Sequence, residues 1–390
     1  MILPSSRNWG RILSMACIAA CGGALFFGCR PSAVAFYEVL EGEVFLNLRS
    51  GLTYDSNIFA RDSNEQDWIF EISPELQYLR QAGLIAVDMR SGVNFGFFHD
   101  NTQLDFQNIY SVLSLSYPRT GARRMTSSLS LSAREQSRTD ATIGARTRAY
   151  VYEVDAGIRY NFSQKFAGRV RAGYLHRDFR DAERSDIDLY QIRTDGIWRY
   201  SPLLEYFLGY RFRYTDTRPT ALDDGRDSMD HSLILGAEGQ ITPKLSGTIE
   251  GGYQTRIPEG EFSERREQFT AAAQLDWAIR SGTSLFLSAS RDFDTSPNRD
   301  SLERTEVATG VSQALRDWLG ARATLRYQNL RFGRADDRAD DVYTGEAALD
   351  YGLTRYFSAS TSYSYTIRES TRSDFDYDRH LASVEATLRF

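Results

Sequence analysis

The sequence predicts an all-β protein, a transmembrane antiparallel up-and-down β-barrel of about 18 strands, within a range of 16 to 20. Three observations predict it. Segments of about 10 to 14 residues alternate apolar and polar side chains along most of the chain, as strands that cross a bilayer at a tilt do. The connections between these segments alternate between short turns and longer polar loops. The final segment alternates in the same way and ends on Phe390.

The N-terminal segment has the features of a signal peptide. Two arginines precede an almost wholly apolar run, and Ala33 and Ala35 have the spacing that signal peptidase requires. We predict a signal peptide over residues 1–35, with cleavage after Ala35. Residues 36–43 then form a short periplasmic segment, and residues 44–390 form the barrel. So short a segment leaves no room for a plug domain.

The composition restricts the chemistry. The three cysteines, Cys17, Cys21 and Cys29, all precede the predicted barrel, so cysteine catalysis and zinc-thiolate sites are not expected there. A lipoprotein cut before Cys29 is the competing interpretation of the N-terminus, although F-F-G-C has phenylalanine where a small residue is usual. The net charge of −6 argues against a nucleic-acid partner. We expect no cofactor and no metal.

The predicted strands follow one another as hairpins. Short turns at 161–165, 200–203, 242–244 and 281–282 carry turn-forming residues, whereas the connection at 216–227 is long and charged. An even number of strands places both termini at the short-turn rim, which is periplasmic in outer-membrane barrels. No connection exceeds about 15 residues, so we expect no long constriction loop. The predicted strands begin near positions 44, 67, 84, 103, 124, 148, 166, 189, 205, 231, 245, 268, 283, 305, 320, 342, 357 and 380.

One predicted strand breaks its own alternation. Leu104 and Phe106 face outward in one phase, whereas Ile109 and Leu113 face outward in the other. A β-bulge near Gln107 would bring both pairs to the same face, and we predict one there.

The apolar face of the strands is predicted to contact lipid and lipopolysaccharide. Soluble sandwiches, propellers and solenoids also alternate, but their strands are usually about five or six residues long. Leu388 and Phe390 resemble the C-terminal signal that the barrel-assembly machinery of bacterial outer membranes reads. The predicted lipid-facing and girdle residues are Trp68, Tyr78, Tyr206, Tyr210, Phe212, Tyr214, Trp277, Phe357 and Phe390.

The polar face is predicted to line an aqueous channel, because a barrel of this width is not filled by its own side chains. One interpretation pairs opposite charges across neighbouring strands, which stiffens a hydrated wall. The other assigns Arg169, Arg171, Arg211 and Arg213 to binding the carboxylates of an acidic solute or polymer. The predicted pore-lining residues are Arg49, Arg90, Arg159, Arg169, Arg171, Arg193, Arg211, Arg213, Arg322, Arg326, Glu71, Glu75, Asp88, Glu153, Asp155, Glu205, Glu238 and Glu250.

Catalysis has little support in the sequence. Asp100 lies beside His99, and Asp230 beside His231, near predicted borders between strands and long loops. Outer-membrane hydrolases keep their sites in such places, but no nucleophile motif accompanies these residues. We therefore predict that the protein is not an enzyme, with an outer-membrane hydrolase as the minor alternative.

G-L-T-Y-D-S-N-I-F at 51–59 and D-W-I-F-E-I-S-P-E-L at 67–76 resemble the opening hairpin of an outer-membrane β-barrel porin family found at exopolysaccharide and capsule loci (the beta-barrel porin 2 type). The resemblance implies a single barrel in the outer membrane of a Gram-negative-type bacterium. It also implies a porin-like channel for exopolysaccharide or other hydrophilic solutes. A structural or adhesive barrel, with a blocked lumen and partner-binding loops, is the alternative. The matching positions are Tyr54, Asp55, Asn57, Pro74 and Phe390.

Overall fold

The structure is a computed structural model that describes residues 37–390, apart from 63–64, 120–123, 182–183, 219–226, 260–264, 297–300 and 334–337. The predicted signal peptide, with Ala33 and Ala35, lies outside the described residues, so its cleavage stays a prediction. No helix in the described ranges is long and apolar enough to span a membrane.

The chain forms one antiparallel sheet that closes on itself. Each strand from β2 to β19 pairs with the next along the chain, and β19 pairs back onto β2. The short β1 pairs only with β2, so eighteen strands make the barrel, as predicted. The strands are β1 Tyr37–Val39, β2 Gly42–Asp55, β3 Asp67–Arg80, β4 Ala86–Phe98, β5 Phe106–Tyr117, β6 Met125–Asp140, β7 Ala145–Asn161, β8 Phe166–Phe179, β9 Ile187–Arg199, β10 Leu204–Thr217, β11 Ser228–Thr242, β12 Leu245–Pro258, β13 Arg266–Arg280, β14 Thr283–Thr295, β15 Ser301–Arg316, β16 Leu319–Phe332, β17 Ala339–Gly352, β18 Phe357–Ser370 and β19 Tyr377–Arg389.

Short and long connections lie at opposite rims. The connections at 162–165, 200–203 and 243–244 join strands at the short-turn rim, where β2 begins and β19 ends. The connections at 56–66 and 218–227 join strands at the other rim, which we call the long-loop rim. Both described ends of the chain therefore lie at the short-turn rim.

The predicted bulge at Gln107 is wrong. The pairs Phe95↔Gln107 and Gly96↔Phe106 continue the β4–β5 ladder without a shift. Leu104 lies outside the strand, in a 3₁₀ turn at Thr102–Leu104. The alternation breaks because Phe106 faces inward, where it packs near the long-loop rim instead of meeting the outer surface.

Contacts between distant strands identify the inner face. Arg169 on β8 binds Glu238 on β11, and Arg193 on β9 binds Glu250 on β12. Side chains three strands apart meet only on the concave side of a curved sheet. Residues that are directly paired in neighbouring strands point to the same face of the sheet. The inner face found at these contacts can therefore be followed from strand to strand around the whole barrel.

The outer face is apolar and exposed on every strand of the barrel. Leu325 on β16 is 65% exposed, and Trp68 and Trp277 are about half exposed. The ladder registers place eight of the nine predicted lipid-facing residues on this outer face, and Phe390 follows the last paired residue of β19. Phe390 stacks on Tyr356, with ring centroids 6.2 Å apart, at the short-turn rim.

We expect Leu325→Arg to destabilise the folded barrel by about 2–4 kcal/mol, because it places a charge on the outer face in the middle of a strand. Thr324→Arg is the matched control, since Thr324 is the neighbouring inner residue and pairs with Glu346. Urea unfolding of both variants in lipid vesicles measures the difference. Equal stability of the two variants would contradict the assignment of faces.

Candidate functional site: the interior of the barrel

The structure places all eighteen predicted pore-lining residues on the inner face of the sheet. They do not have the same surroundings. Arg171, Arg193, Arg211 and Arg213 are each more than nine-tenths buried, whereas Arg49 and Arg90 remain partly exposed. Their assignment as the lining of a solute path stays a prediction.

Asp195 is the centre of one ion-pair network on strands β8 to β12. Its side chain is fully buried and accepts from Arg169 at 2.8 Å, Arg171 at 3.1 Å and Arg193 at 2.7 Å. Arg169 also reaches Glu238 at 2.8 Å, and its neighbours extend the network to further acids. Gly209 provides the space, because a Cβ there would lie 2.3 Å from Asp195 Oδ1. The guanidinium groups of this network therefore already bind carboxylates of the protein.

A second network surrounds Asp230 nearer the long-loop rim. Asp230 is 1% exposed and accepts from Arg213 Nε at 2.7 Å and from both ends of the Arg256 guanidinium at 2.7 and 2.8 Å. Arg213 and Arg211 also bind Asp292, at 3.3 and 3.0 Å. We call the inner face of β8–β14, with both networks, the ion-pair wall.

The second network depends on a split in the sheet. The β13–β14 ladder ends at Ala271↔Arg291, although β14 continues to pair with β15 as far as Thr295. Released from β13, the end of β14 turns into the barrel and buries Phe293 under the Arg256 guanidinium, 4.8 Å from the ring centroid. This turn brings Asp292 to arginines that lie four strands away in the ring.

The remaining arc is β15–β19 and β2–β7. On β17–β19 and β2–β6 it has a thinner inner face of small hydroxyl residues, which we call the hydroxyl wall. These side chains are partly exposed, so the interior beside them is not filled by described residues. Serine also occurs on the outer face of this arc, where Ser91 on β4 and Ser111 on β5 are hydrogen-bonded to each other. The inner hydroxyl residues include Ser73, Ser114, Ser128, Ser130, Ser132, Thr344, Ser358, Ser360, Ser362, Ser364, Ser383 and Thr387.

Four inner carboxylates beside the hydroxyl wall form no ion-pair contact with a cationic side chain among the described residues. Glu71 accepts from Asn94 at 3.1 Å, and Glu75 from Asn47 at 2.9 Å and Tyr110 at 2.8 Å. The other two are Asp155 on β7 and Glu346 on β17. By contrast, the arginines of this arc that were predicted to line the pore bind acids. These pairs are Arg49–Glu385, Arg90–Asp88, Arg322–Asp350 and Arg326–Glu306.

Arginines also cover the inner phenylalanines. The guanidinium of Arg193 lies 5.3 Å from the Phe207 ring centroid, and that of Arg389 lies 4.1 Å from Phe45. Phe207 closes a small apolar cluster with Ala167, Ile197 and Ile234 on the same face. These rings therefore stiffen the wall and do not form an open aromatic track.

A hairpin crosses the interior at the long-loop rim. The β5–β6 ladder ends at Tyr110↔Arg134 and the β7–β8 ladder at Ala149↔Phe179, but β6 and β7 pair with each other as far as Asp140↔Ala145. We call residues 135–147 the mouth hairpin. The sequence predicted no long constriction loop, and the connection at 141–144 is indeed a short turn. The segment that crosses the channel is instead the extended ends of β6 and β7, which the sequence did not predict.

The tip of the mouth hairpin is bound by residues from β16–β18, across the mouth. Arg338 donates to the Thr142 carbonyl at 2.7 Å, and Arg368 donates to the Ala141 carbonyl. Both arginines bind Asp340, and all three of these side chains are almost fully buried. We call Arg338, Asp340 and Arg368 the latch.

The β2–β3 connection also contacts the hairpin. Thr139 donates to the Ile58 carbonyl, and Ile58 packs with Ile69 and Phe98 in a buried apolar cluster. The Arg146 guanidinium lies 4.7 Å from the Phe98 ring centroid. The long-loop mouth is thus narrowed by the hairpin, the latch and this connection together.

The histidine and aspartate pairs considered for catalysis do not form a site. Asp230 faces inward to Arg213 and Arg256, whereas the neighbouring His231 faces outward and contacts the Tyr210 hydroxyl at 2.7 Å. His99 lies 3.9 Å from Asp100, and both are exposed. In the part of the chain that the structure describes, no three potential metal ligands come together.

Sequence reasoning missed Arg256, Asp292 and the latch. Arg256 lies six residues after the inner residue Glu250 on β12. Strict alternation along this strand would therefore have predicted that Arg256 also points inward. No local signal identifies Asp292, because its partners lie four strands away. Arg338 and Asp340 fall in a charged stretch of the kind that is usually solvated.

Residues 44–390 match the family model described as "Putative beta-barrel porin 2". The chain belongs to this family. It is therefore a porin-like β-barrel of the outer membrane, as the resemblance at 51–59 and 67–76 implied. A search of curated proteins finds no match.

Solved outer-membrane proteins are similar to this chain at low sequence identity. OccK2 (OpdF) of Pseudomonas aeruginosa has a TM-score of 0.50 at 10% identity, over 90% of this chain and 98% of that chain. OpdK of the same organism, solved with vanillate, has a TM-score of 0.49 at 11% identity, over 89% and 99%. The FrpB iron transporter of Neisseria meningitidis has a TM-score of 0.48 at 9% identity, over 86% of this chain. The present chain covers 63% of the length of FrpB. At these identities the likeness extends to the fold alone.

We expect Asp230→Asn to destabilise the barrel by about 3–5 kcal/mol, because it leaves the buried guanidinium groups of Arg213 and Arg256 without their shared carboxylate. Asp350→Asn is the control, since its Arg322 partner is 42% exposed and such a pair contributes about 1 kcal/mol or less. Urea unfolding of both variants in detergent or vesicles compares them. A loss at Asp230 no larger than that at Asp350 would show that the ion-pair wall is not structural.

Proposed function

We propose that the protein is an outer-membrane channel through which small hydrophilic solutes pass along the hydroxyl wall. The observation that supports this is the partial exposure of inner residues such as Ser360, Ser362 and Ser364 on β18, although they point into the barrel. The ion-pair wall on the other side is thick and buried. The solute path is therefore off-centre, bounded by hydroxyl groups on one side and fixed ion pairs on the other.

The orientation in the membrane is part of the proposal. Short turns face the periplasm in outer-membrane barrels, so the termini are periplasmic and the mouth hairpin faces the outside. Lipid and lipopolysaccharide contact the outer face, and Phe390 with Leu388 provides the signal for the barrel-assembly machinery. The exposed outer tryptophans and tyrosines support this placement.

The channel is proposed to prefer cations. Four arginines were predicted to bind an acidic solute, but their guanidinium groups already bind carboxylates of the protein and have little capacity left for a solute. The arginines are Arg169, Arg171, Arg211 and Arg213, and the carboxylates are those of Asp195, Glu238, Asp230 and Asp292. Beside the hydroxyl wall the four carboxylates outside ion pairs outnumber Arg389, an inner arginine that contacts Gln77 and Phe45. Fixed charges of one sign along a narrow aqueous path raise the local concentration of the opposite ion.

Purified protein in a planar bilayer should conduct, and its reversal potential in a KCl gradient should show selectivity for K⁺. The triple variant Glu71→Gln, Glu75→Gln, Glu346→Gln should lower the K⁺/Cl⁻ permeability ratio by roughly twofold or more, because it removes unpaired negative charge. The control, Arg322→Gln with Asp350→Asn, removes a paired charge of each sign and should leave the ratio unchanged. Anion selectivity in the unmodified protein would refute the proposed preference.

Passage of exopolysaccharide is the wider form of the proposal. The hydroxyl wall supports it, since serine and threonine offer both donors and acceptors to sugar hydroxyls. The covered phenylalanines at Phe45 and Phe207 argue against a path on which sugars stack. Blockage of ion current by dextrans of increasing size measures the width available. Exclusion of even short oligosaccharides would restrict the channel to small solutes.

A structural barrel with a blocked lumen is the second candidate, and the mouth hairpin is the observation that favours it. The hairpin is held at its base by β6 and β7 and at its tip by Arg338 and Arg368. Absence of conductance in the unmodified protein and in a variant without the hairpin would favour this candidate over the channel.

A further inference from the structure

The mouth hairpin has the geometry of a movable closure. Over residues 135–147 the strand ladder is formed within the hairpin alone, because the β5–β6 ladder ends at Arg134 and the last backbone hydrogen bond beside β8 joins Arg180 to the Arg148 carbonyl at 2.9 Å. At about 3.3 Å per residue, the six residues 135–140 span about 20 Å. The tip is therefore far from the wall to which its base is attached.

The tip docks on a different part of the ring. From β6 to β18 the shorter way around the barrel is six strand steps through β5, β4, β3, β2 and β19, or about 29 Å of wall. The hairpin runs straight across the mouth from β6–β7 to β17–β18, instead of following the wall. Any solute that enters from the long-loop rim between β18 and β6 meets it.

The latch binds the backbone of the tip at two consecutive residues. Arg338 and Arg368 donate to two consecutive carbonyls, those of Thr142 and Ala141, and Asp340 holds both guanidinium groups in place. Arg338 is also sandwiched between Phe332 and Phe375, 3.7 and 3.8 Å from the ring centroids. The latch is thus preorganised on β16–β18 and does not depend on the hairpin for its own shape.

The tip is built to present those carbonyls. Asp140 accepts from the Thr142 backbone at 2.9 Å and from its hydroxyl at 2.6 Å, and Gly144 adopts a positive φ of 61°. This tight turn leaves the Ala141 and Thr142 carbonyls pointing away from the hairpin and toward the latch. Both sides of the contact are therefore formed independently.

We propose that the mouth hairpin is a gate, closed in this structure by the latch, and that its release from Arg338 and Arg368 opens the channel to the outside. This inference rests on the proposed channel function. The gate is specific to the hydroxyl-wall side of the mouth, because its base on β6–β7 and the latch lie on either side of β19 and β2–β5. Opening requires loss of the two arginine–carbonyl contacts. The contacts of Thr139 with Ile58, of Ser137 with Asn108 and of Arg146 with Phe98 also hold the hairpin in this position.

The test replaces residues 138–147 by Asn-Gly, which keeps the Ser137↔Arg148 pair and closes it with a two-residue turn. We expect single-channel conductance to rise by roughly twofold or more, since the hairpin across the mouth is removed. The same conductance as the unmodified protein would overturn the gate and leave the channel intact. No conductance in either protein would overturn the proposed channel itself. Heat-modifiable migration on gels confirms that each barrel has folded.

Movement is tested separately with Thr142→Cys and Arg338→Cys, because residues 37–390 contain no cysteine. Without the Arg338 contact, this double variant should open more often than the unmodified protein. A short bis-maleimide crosslinker should close it, and in a version with a cleavable spacer, reduction should reverse the effect. Thr142→Cys alone, treated with the same reagent, is the control. Unchanged current on crosslinking of the double variant would mean that the hairpin is a fixed constriction.

Discussion

Closure of the sheet is the constraint on which the rest of the structure depends. In a bilayer no water satisfies an open edge, so the first and last strands must pair along their length. Here β19 pairs with β2, and both ends of this seam are fastened. Asp55 binds Arg379 at 2.8 and 2.5 Å at the long-loop rim, where Asn57 also donates to the backbone of β19. Leu46 and Phe390 exchange backbone hydrogen bonds of 2.8 and 2.9 Å at the other rim.

The seam also explains the family resemblance. Asp55, Asn57 and Phe390 are three of the five positions that carry it, and all three act where the barrel closes. Pro74 is a fourth, and the β3–β4 ladder skips it, as a residue without a backbone donor requires. The motif therefore identifies how this barrel is joined, and it says nothing of the solute. The family could be read from the sequence for this reason, while cargo could not.

The sequence predicted what depends on neighbours along the chain or on adjacent strands. Alternation placed the inner residues and the strand count, because each side chain's face follows from its position in its own strand. It failed where a strand leaves the sheet. Asp292 reaches Arg211 only because β14 parts from β13. The predicted strand starts near 124 and 148 did not show that residues 136–147 continue β6 and β7 as one long hairpin. A strand that separates from its neighbour keeps the same local composition. The sequence pattern therefore does not show where β14 or the β6–β7 hairpin leaves the wall.

Both departures raise the same physical problem, and arginine solves it in both. A strand that leaves its neighbour loses backbone partners, and a buried carbonyl without a donor is costly. Guanidinium groups have five donors on a long side chain, so one arginine binds a carboxylate on the wall and a carbonyl on the strand that has turned inward. The ion pairs of the interior are thus the anchors that allow strands to fold into a wide barrel. The arginine–carbonyl contacts are Arg213 to Phe293, Arg256 to Asp294, Arg338 to Thr142 and Arg368 to Ala141.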